Sequence, residues 1–503
     1  MMIKRTSKMI STLLLFYSVS AVSYAAPVEN EDDAWGYLFG PGIHQQEVKD
    51  HHVSAAKNSV SRLVNWNRIA VDSSGIDHTP VAIGENRTFG EQLGPGRSSR
   101  AMAIVHMAVF EAVNAIVGDY KSYIGLEEVA HGKDSTSVDA AIAQAAHDTL
   151  IALFPSQKPR LDNALNNDLN QIPDGDDHQK EQGIQLGSQA AAMTLAVKEN
   201  DGSFHKEPLV GIDFITSTDP GKWRQDPISQ VPIAMGAYWG KVKPFVLKSG
   251  DQFRIPPPPS LDSPEYAAAF NEVKQLGGDG VHTPTLRTQE QAEIGTFWAY
   301  DGTPSLCAPP RLYNQIIVQI ALKQHTRLLE FARLLALENV AMADEGVANW
   351  DSKYFYQFWR PISGITLANG NNATTADPGF MPLGAPASNK TGPNFTPPFP
   401  AYPSGHAGFG GAIFQTLRNF YKTDRIPFTF VSDELNGVTK GNDGNARPLK
   451  PRSFSTLSQA EEENGQSRIY LGIHWSFDKT EGIAQGRKVA NYIFKNLYAH
   501  HRE

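Results

Sequence analysis

Runs of apolar residues at helical spacing constrain the fold of this chain more than any other feature of the sequence. Segment 98–116, SSRAMAIVHMAVFEAVNAI, is rich in alanine and repeats apolar side chains every three or four residues. Segments 138–153 and 187–196 have the same character, whereas alternating strand patterns are scarce. The sequence therefore predicts an all-α fold of two packed helical bundles, in which His106 and His147 are buried core histidines.

The second half of the chain carries the same helical pattern. Helices are predicted at 289–299, 313–343, 409–421 and 481–498. Long loops rich in Gly, Pro and Asn lie between them at 369–403 and 433–466, and loops of this length usually carry function or are disordered. Four consecutive prolines at 256–259 form a stiff connection. We therefore predict an N-terminal helical domain at 26–260 and a C-terminal helical domain at 261–503.

The N-terminal residues predict export from the cytoplasm. Lys4, Arg5 and Lys8 precede an apolar run from residue 9 to 22, which ends in small residues. This order is typical of a cleaved signal peptide, here residues 1–25, although a short membrane anchor has a similar pattern. No later run of 18 or more apolar residues is free of charges, so we expect no membrane span in the mature chain. The expected location is the periplasm or the medium.

Bulk charge and cysteine content exclude several classes of protein. The formal net charge of -8 and the pI near 6.0 give no general attraction to nucleic acid or to anionic membranes. Any anionic ligand must therefore be held by a few placed cations. Cys307 is the only cysteine, so the chain forms no internal disulfide and no cysteine-based metal site. The oligomeric state is not indicated by the sequence.

A first cluster of candidate site residues is the segment KYFYQFWRP. Lys353 and Arg360 are seven residues apart, about two helical turns, so the spacing predicts that both cations project from one helix face up to Pro361. A solvated basic stripe is the ordinary interpretation of such a pair. The aromatic residues around it, including Trp350 and Trp359, indicate burial instead. Buried cations need an anion.

Two further clusters follow. In PAYPSGHAGFGGAIF, Ser404 is a predicted N-cap whose hydroxyl lies beside the N–H groups of Gly405 and His406 and the positive end of a helix dipole. In SRIYLGIHWSFD, Arg468 and His474 are six residues apart, and we expect Gly472 to bend the chain so that both point inward. Each cluster alone is also compatible with a structural role. Together they supply the donors that a tetrahedral polyanion requires.

These three clusters, in this order, resemble the signature of the superfamily that contains type 2 phosphatidic acid phosphatases and vanadium-dependent haloperoxidases. The likeness to haloperoxidases of the chloroperoxidase type extends to VNWNRIAVD, GPGRSSRAMAIVHMA, FWAYDG, PPRLYNQI and PPFPAYPSGH. It covers roughly residues 62–492.

The resemblance implies a vanadate cofactor and a role for each matched residue. It implies that His474 Nε2 bonds the metal, and that His406 is the acid/base group. The residues that hold the vanadate oxygens would be Lys353, Arg360, Ser404, Gly405 and Arg468. It also implies that Asp301 pairs with Arg468, and that Trp350 and Phe399 line the halide approach, with Phe399 matching the chloroperoxidase side.

The function implied is halide oxidation by hydrogen peroxide to hypohalous acid, which halogenates organic acceptors. An alternative is a soluble exported acid phosphatase, in which His474 forms a phosphohistidine and His406 protonates the leaving group. A third is a non-catalytic anion-binding protein, which the presence of both histidines disfavours. Neither the halide nor the acceptor is indicated by the sequence, and no role for Cys307 follows from it.

Overall fold

The computed structural model describes residues 55–126, 136–173, 178–306, 308–367, 371–386, 394–441 and 443–501. The predicted signal peptide and Cys307 lie outside these ranges. The helices, numbered in chain order, are α1 (Ser59–Asp77), α2 (Gly94–Val117), α3 (Val138–Leu153), α4 (Lys158–Leu169), α5 (Gln179–Val197), α6 (Pro264–Leu276), α7 (Gln289–Phe297), α8 (Pro310–Lys323), α9 (Leu328–Tyr356), α10 (Pro361–Leu367), α11 (Gly405–Tyr421), α12 (Leu457–Tyr470) and α13 (Ser476–Asn496).

Strand structure is minimal in the described part of the chain. β1 (Phe428–Phe430) pairs antiparallel with β2 (Arg452–Phe454), with Phe428 opposite Phe454. The remaining regular elements are short 3₁₀ turns at Pro155–Gln157, Trp239–Lys241, Gly250–Phe253 and Asp433–Leu435. The predicted all-α fold is therefore confirmed, and α3 has the predicted bounds.

Helix α9 connects the two halves of the molecule. It packs against α2 on one side and against α11 and α13 on the other. Nearly all of its residues are buried from Leu329 to Lys353, and these include charged side chains such as Glu338, Asp344 and Glu345. One continuous hydrophobic core runs from residues of α1 to the end of α13. The domain boundary near residue 260 stays a prediction.

Helix α2 is the only one among the described residues that is long and apolar enough to cross a membrane. In the folded chain, 94% of its most apolar window is buried against other parts of the protein. This is the environment of a core helix. His106, on the same helix, donates from Nδ1 to Met102 O (2.7 Å), and its Nε2 lies 2.8 Å from the Asn67 side-chain amide. His147 contacts Asp148 and Asp162. Both histidines have protein partners, as expected for core residues.

Two predicted segments differ from the structure. The helix predicted at 313–343 is two helices, α8 and α9, because the chain turns at His325, whose φ is 53°. There the Thr326 N–H donates to Ala321 O at 3.0 Å, which closes the end of α8. The loop predicted at 433–466 ends earlier, because Thr456 caps α12 by accepting from Gln459 N at 3.1 Å. Neither break contains a glycine or proline that would have indicated it.

Helices α11 and α13 pack with their backbones in contact. A Cβ atom at Gly482 would lie 2.8 Å from Ser404 O, and a Cβ atom at Gly486 would meet Gly408 O. A Cβ atom at Gly411 would lie 2.5 Å from Ile483 O. Only glycine permits this approach. Because both helices begin at the candidate site, the close packing brings their N-termini together.

Candidate active site

The N-terminus of α11 forms one wall of the site. Ser404 is the N-cap, as predicted, and its Oγ accepts from Ala407 N at 3.4 Å. Its own N–H donates to the carbonyl of Asp478 at 3.0 Å, which joins this turn to the start of α13. Gly405 lies against the Trp350 ring, since a Cβ atom there would be 3.3 Å from Cη2. The first turn of α11 therefore presents backbone N–H groups and the positive helix end to the site.

His474 lies just before α13 with its ring orientation fixed by a carboxylate. Its Nδ1 donates to Asp478 Oδ2 at 2.8 Å, and the same oxygen accepts from Trp475 N at 3.0 Å. In the neutral imidazole, the lone pair is then on Nε2, which lies 2.9 Å from Arg360 Nη1. A carboxylate behind a histidine is the usual arrangement for a metal-ligating ring. Nε2 is thus the nitrogen available to a ligand.

The chain bends at Gly472, as predicted, so that Arg468 and His474 both face the site. Helix α12 ends at Tyr470, and Gly472 has a φ of 74°, a left-handed conformation that favours glycine. Arg468 Nη2 contacts Asp301 Oδ2 at 2.8 Å, which is the pair implied by the resemblance. Arg468 is fully buried, and Asp301 nearly so.

Lys353 and Arg360 meet at the site, but not on one helix face as predicted. Helix α9 ends at Tyr356 because Gln357 is left-handed, with a φ of 51°. Arg360 follows this turn, and Pro361 is the first residue of α10, where its missing N–H costs no hydrogen bond. The turn at the end of α9, and not helical periodicity, brings the two cations together.

Both cations are held by main-chain oxygens. Lys353 Nζ donates to Pro400 O (3.0 Å), to Ala401 O (3.1 Å) and to Pro403 O. Arg360 Nε donates to Phe399 O at 2.8 Å, and its Nη1 donates to Ile473 O at 2.8 Å. These carbonyls orient the cations without neutralising them.

The buried charge of the site is not balanced within the protein. Burial, with a smaller contribution from the charge of Arg468, lowers the pKa of Arg360 to about 9, although the charge of Asp478 opposes this shift. Burial and the charge of Arg360 also hold the pKa of Lys353 well below its usual range. In the described part of the chain, Arg360 Nη2 and Arg468 Nε and Nη1 are buried without a hydrogen-bond partner. Such donors require an acceptor, and an oxyanion supplies one for each.

His406 is buried at the second position of α11 and remains neutral. Its Nε2 faces Ala299 O at 2.7 Å, so Nε2 carries the proton and Nδ1 carries the lone pair. Burial, and then the charge of Arg468, lower its pKa to about 4. The Tyr313 hydroxyl and Asn464 Nδ2 both donate to the His406 carbonyl, at 3.0 and 2.8 Å, which fixes this residue in place. His406 is therefore suited to accept a proton.

A cavity reaches the site from the surface. Its volume is about 50 Å³, enough for roughly four water-sized groups, which is about the size of a small tetrahedral ion. Seven of the predicted residues line it: Asp301, Trp350, Phe399, Gly405, His406, Arg468 and His474. Lys353, Arg360 and Ser404 lie directly behind this wall, in the contacts given above. The structure thus brings all ten predicted residues together.

The aromatic pair covers one side of this cavity. The rings of Trp350 and Phe399 are 5.1 Å apart between centroids and inclined at 56°. Phe399 lies 5.1 Å from Lys353 Nζ and 4.9 Å from the Arg360 guanidinium carbon. The ring faces therefore shield the cations from water while favouring their charge.

Sequence reasoning assigned no role to several residues that build the site. Asp478 orients His474, and its position four residues later on the first turn of α13 was a usable signal. His78 and Met235 line the cavity from the first half of the chain. No local pattern marks them, because the cavity wall exists only in the tertiary fold.

The described residues contain no group of three or more His, Cys, Asp or Glu side chains that could hold a metal ion by themselves. The donors around the cavity are instead N–H groups and cations, with one available imidazole nitrogen. Fold and site together define an all-α protein whose buried pocket is built to hold an oxyanion.

Comparisons with known proteins agree with this class. Residues 333–503 match the family described as the VCPO second helical-bundle domain. The chain is 28% identical over 492 residues to a vanadium chloroperoxidase of Curvularia inaequalis, with 82% of this chain and 78% of that protein covered. The resemblance to vanadium-dependent haloperoxidases that the motifs indicated is confirmed.

Solved structures show the same fold. A structure described as the first bacterial vanadium-dependent iodoperoxidase has a TM-score of 0.67 at 22% identity, covering 90% of this chain and 98% of that chain. The apo form of a bacterial vanadium-dependent chloroperoxidase gives 0.62 at 15% identity, covering 80% of this chain and 94% of that one. Its holo form gives 0.58 at 14% identity, with 80% and 92% covered. The chain has the fold of the vanadium haloperoxidases over both of its halves.

Proposed function

We propose that this protein is a vanadate-dependent haloperoxidase that uses hydrogen peroxide to oxidise a halide to hypohalous acid. One observation carries the proposal: Arg360 and Arg468 have buried guanidinium N–H groups without a hydrogen-bond partner, Arg360 lies next to Nε2 of His474, and Arg468 lines the same cavity as His474. A ligand that satisfies both must be an oxyanion whose central atom accepts a nitrogen ligand. Vanadate has the shape of phosphate and expands readily to five-coordinate geometry. The named activities of the relatives support this choice.

The residues present fit vanadate, provided that Lys353 Nζ exchanges one of its three carbonyl acceptors for a vanadate oxygen. Arg360, Arg468 and Lys353 would hold its oxygens together with the Ser404 hydroxyl and the Gly405 N–H, and His474 Nε2 would bond the metal. Bound vanadate supplies a Lewis acid that activates hydrogen peroxide towards halide without a change of oxidation state. Asp478 keeps the proton of His474 on Nδ1, and so keeps Nε2 free for this bond.

His406 supplies the proton acceptor. Because its Nε2–H is held by Ala299 O, the ring accepts a proton from hydrogen peroxide at Nδ1. The lowered pKa keeps the ring neutral before peroxide binds. Asp301 does not transfer this proton in the proposal. It positions Arg468 through the 2.8 Å contact.

The cavity wall at Trp350 and Phe399 is where the halide would approach. Both rings are buried and lie next to the two cations, so a small anion can leave water for an apolar surface while remaining close to positive charge. A small cavity is sufficient when the oxidised product diffuses away. Halogenation of organic acceptors would then need no dedicated acceptor pocket.

The test uses the purified mature protein, stripped of metal, with a dimedone-type acceptor, hydrogen peroxide and chloride, bromide or iodide. Activity is measured before and after orthovanadate is added. We expect halogenation only with vanadate, and the same assay ranks the halides. No activity with any halide, together with vanadate-inhibited hydrolysis of a phosphate monoester, would make the protein an acid phosphatase instead.

A competition experiment tests whether one site serves both anions. The stripped protein is incubated with phosphate and then with orthovanadate, and the rate at which halogenation appears is followed. We expect phosphate to slow reconstitution in proportion to its concentration. If saturating phosphate leaves reconstitution unchanged, the cationic pocket does not hold the cofactor.

We also infer that the protein is exported, with cleavage after residue 25, to the periplasm or the medium. The support is the order of basic, apolar and small residues in the N-terminal segment. The intact mass of the protein recovered from each fraction of the native host tests this. A full-length chain confined to the cytoplasm would contradict the inference.

A further inference from the structure

Met235 is held at the edge of the active-site cavity by three main-chain hydrogen bonds. Its N–H donates to Pro398 O at 3.0 Å, and its carbonyl accepts from Trp350 Nε1 (3.2 Å) and from Tyr354 OH (2.8 Å). These bonds connect it to the loop that carries Phe399 and to the last turns of α9. The backbone position of Met235 is therefore fixed relative to the site.

The thioether of Met235 lies beside the place where the oxidant forms. Its side chain lines the same cavity as His406 and His474. The Trp350 indole separates it from the oxyanion turn: one edge of that ring touches Gly405, and the other touches Gly236, the neighbour of Met235. The width of the Trp350 indole therefore separates the Met235–Gly236 backbone from the first turn of α11.

Met235 is buried in the wall of this cavity. The residue is only 7% exposed, and its Sδ lies 3.4 Å from the position of a Cβ atom at Gly94, which lines the cavity as well. The other described methionines are not part of the cavity wall. Of these, Met193 and Met381 are more exposed than Met235, whereas Met102 and Met342 are fully buried in the core.

We propose that Met235 is a self-modification site, oxidised to methionine sulfoxide by hypohalous acid made in the adjacent pocket. The inference rests on the proposed peroxidase function, which supplies the oxidant. Methionine sulfur is soft and polarisable, and oxidation to the sulfoxide is its common fate. Sulfur loses two electrons and gains the S–O bond, the O–X bond breaks, and halogen leaves as halide with one proton.

The modification changes the cavity wall where the halide approaches. A thioether is apolar, whereas a sulfoxide places the negative end of a strong dipole beside Trp350. This repels an approaching anion and adds bulk to a cavity of about 50 Å³. We therefore expect kcat/KM for the halide to fall several-fold as the sulfoxide accumulates, so that the enzyme limits its own output.

The first experiment compares two sources of oxidant. Vanadate-loaded protein is allowed to turn over with peroxide and bromide, while vanadate-free protein receives reagent hypobromous acid, and each methionine is followed by peptide mass spectrometry. During turnover we expect Met235 to gain oxygen before Met193 and Met381. With the reagent we expect the reverse order, because exposure then decides reactivity.

Outcomes of this experiment separate the inference from the function it rests on. If the same vanadate-loaded protein halogenates dimedone in a parallel assay but Met235 stays a thioether during turnover, the modification site is wrong and the peroxidase function stands. If no acceptor is halogenated, the peroxidase function fails, and the inference fails with it. Equal oxidation of Met235 by turnover and by reagent would show that no local delivery occurs.

Variants test the effect on the reaction. Met235→Leu preserves volume and removes the sulfur, and Met235→Gln imitates the polarity of the sulfoxide. Each rate is normalised to the initial rate of the same variant. We expect the turnover-dependent loss of kcat/KM for bromide to disappear in Met235→Leu, and Met235→Gln to have a raised KM for bromide from the start. A wild-type loss of rate that persists in Met235→Leu would overturn the proposal, with Met193→Leu as the matched control.

Discussion

Two buried arginines of this molecule, Arg311 and Arg360, lie in opposite electrostatic surroundings. Arg311 contacts Asp72 at 2.7 Å and Asp433 at 2.8 Å. Burial alone would lower its pKa, but Asp433 and Asp72 outweigh burial and raise it above the ordinary value. Arg360 is equally buried, yet it contacts two carbonyls and a histidine, and its pKa falls to about 9.

The difference distinguishes a structural cation from a binding one. The charge of Arg311 is neutralised within the protein, so it joins α8 to α1 and to the 433–435 turn. The charge of Arg360 is left for a ligand, which must bring negative charge into a site that water hardly enters. A buried cation without a carboxylate partner is therefore a sign of function that a buried ion pair is not.

The largest expected effect is the loss of vanadate on replacement of His474, which tests whether the buried cations alone can retain this anion. His474→Ala should abolish vanadate retention and halogenation together, because the remaining cations offer no bond to the metal. Vanadate content after gel filtration and the dimedone assay measure the two losses. Retention of vanadate by His474→Ala would show that Arg360 and its neighbours are sufficient, and would contradict the role given to Nε2.

His406→Ala is the matched variant on the opposite wall. It should keep vanadate largely bound and lose turnover by about 10²- to 10⁴-fold, the usual contribution of a general acid or base. The reverse pattern, with His406 needed for retention and His474 only for turnover, would exchange the two roles.

Removal of the structural arginine should mainly affect stability. Arg311→Met removes the buried guanidinium that contacts Asp72 and Asp433, and we expect the free energy of unfolding to fall by about 3–5 kcal/mol. Denaturant unfolding of the vanadate-free protein measures this. In the same assay Arg360→Met should be as stable as the wild type or more so, because it removes an unneutralised buried charge. Equal destabilisation by both substitutions would erase the distinction between them.

Ligand binding should have an effect of intermediate size. At a vanadate concentration 100 times its Kd, the wild type should gain about 2.7 kcal/mol against unfolding, since the ligand binds only the folded state. Arg360→Met should gain clearly less at the same concentration. The check is the Tm as a function of orthovanadate, with phosphate as a second ligand. An unchanged gain in Arg360→Met would mean that this guanidinium does not hold the anion.

The smallest effect is expected at the surface. Glu290, which is largely exposed, contacts Arg452 at 3.3 Å, while Arg452 also pairs with Glu463. Glu290→Gln should change the free energy of unfolding by less than about 1 kcal/mol, because solvent and salt screen such pairs. The same denaturant series measures this. A larger loss would contradict the conclusion that burial decides how much an ion pair contributes to the free energy of unfolding.

Much of the fold was predictable because helical periodicity and caps are local properties of the sequence. Segment 138–153 was predicted with its observed bounds, and the helix after Ser404 was correctly placed at an N-cap. The break at His325 was missed, since no glycine or proline marks it. Tertiary packing decides such breaks.

The candidate site was predictable as a set of residues but not as a geometry. The motifs contained Lys353 and Arg360, and the prediction that both lie at the site was useful. The prediction that they lie on one helix face was wrong, because Gln357 ends the helix between them. Asp478 was visible in the third cluster without an assigned role. Met235 was beyond prediction, since it comes from the first half of the chain and reaches the cavity only through folding.

The glycine contacts between α11 and α13 make the width of the pocket depend on residues that never touch its ligand. Gly408 and Gly486 lie one turn or more inside their helices, yet a single added methyl group at Gly486 would force the two helices apart. Ser404 and His474 lie just before these two helices, so a larger distance between the helices would also increase the distance between the two residues. The glycines between α11 and α13 should therefore tolerate substitution as poorly as the residues that bind the anion. A mutational search confined to the pocket would not include these glycines.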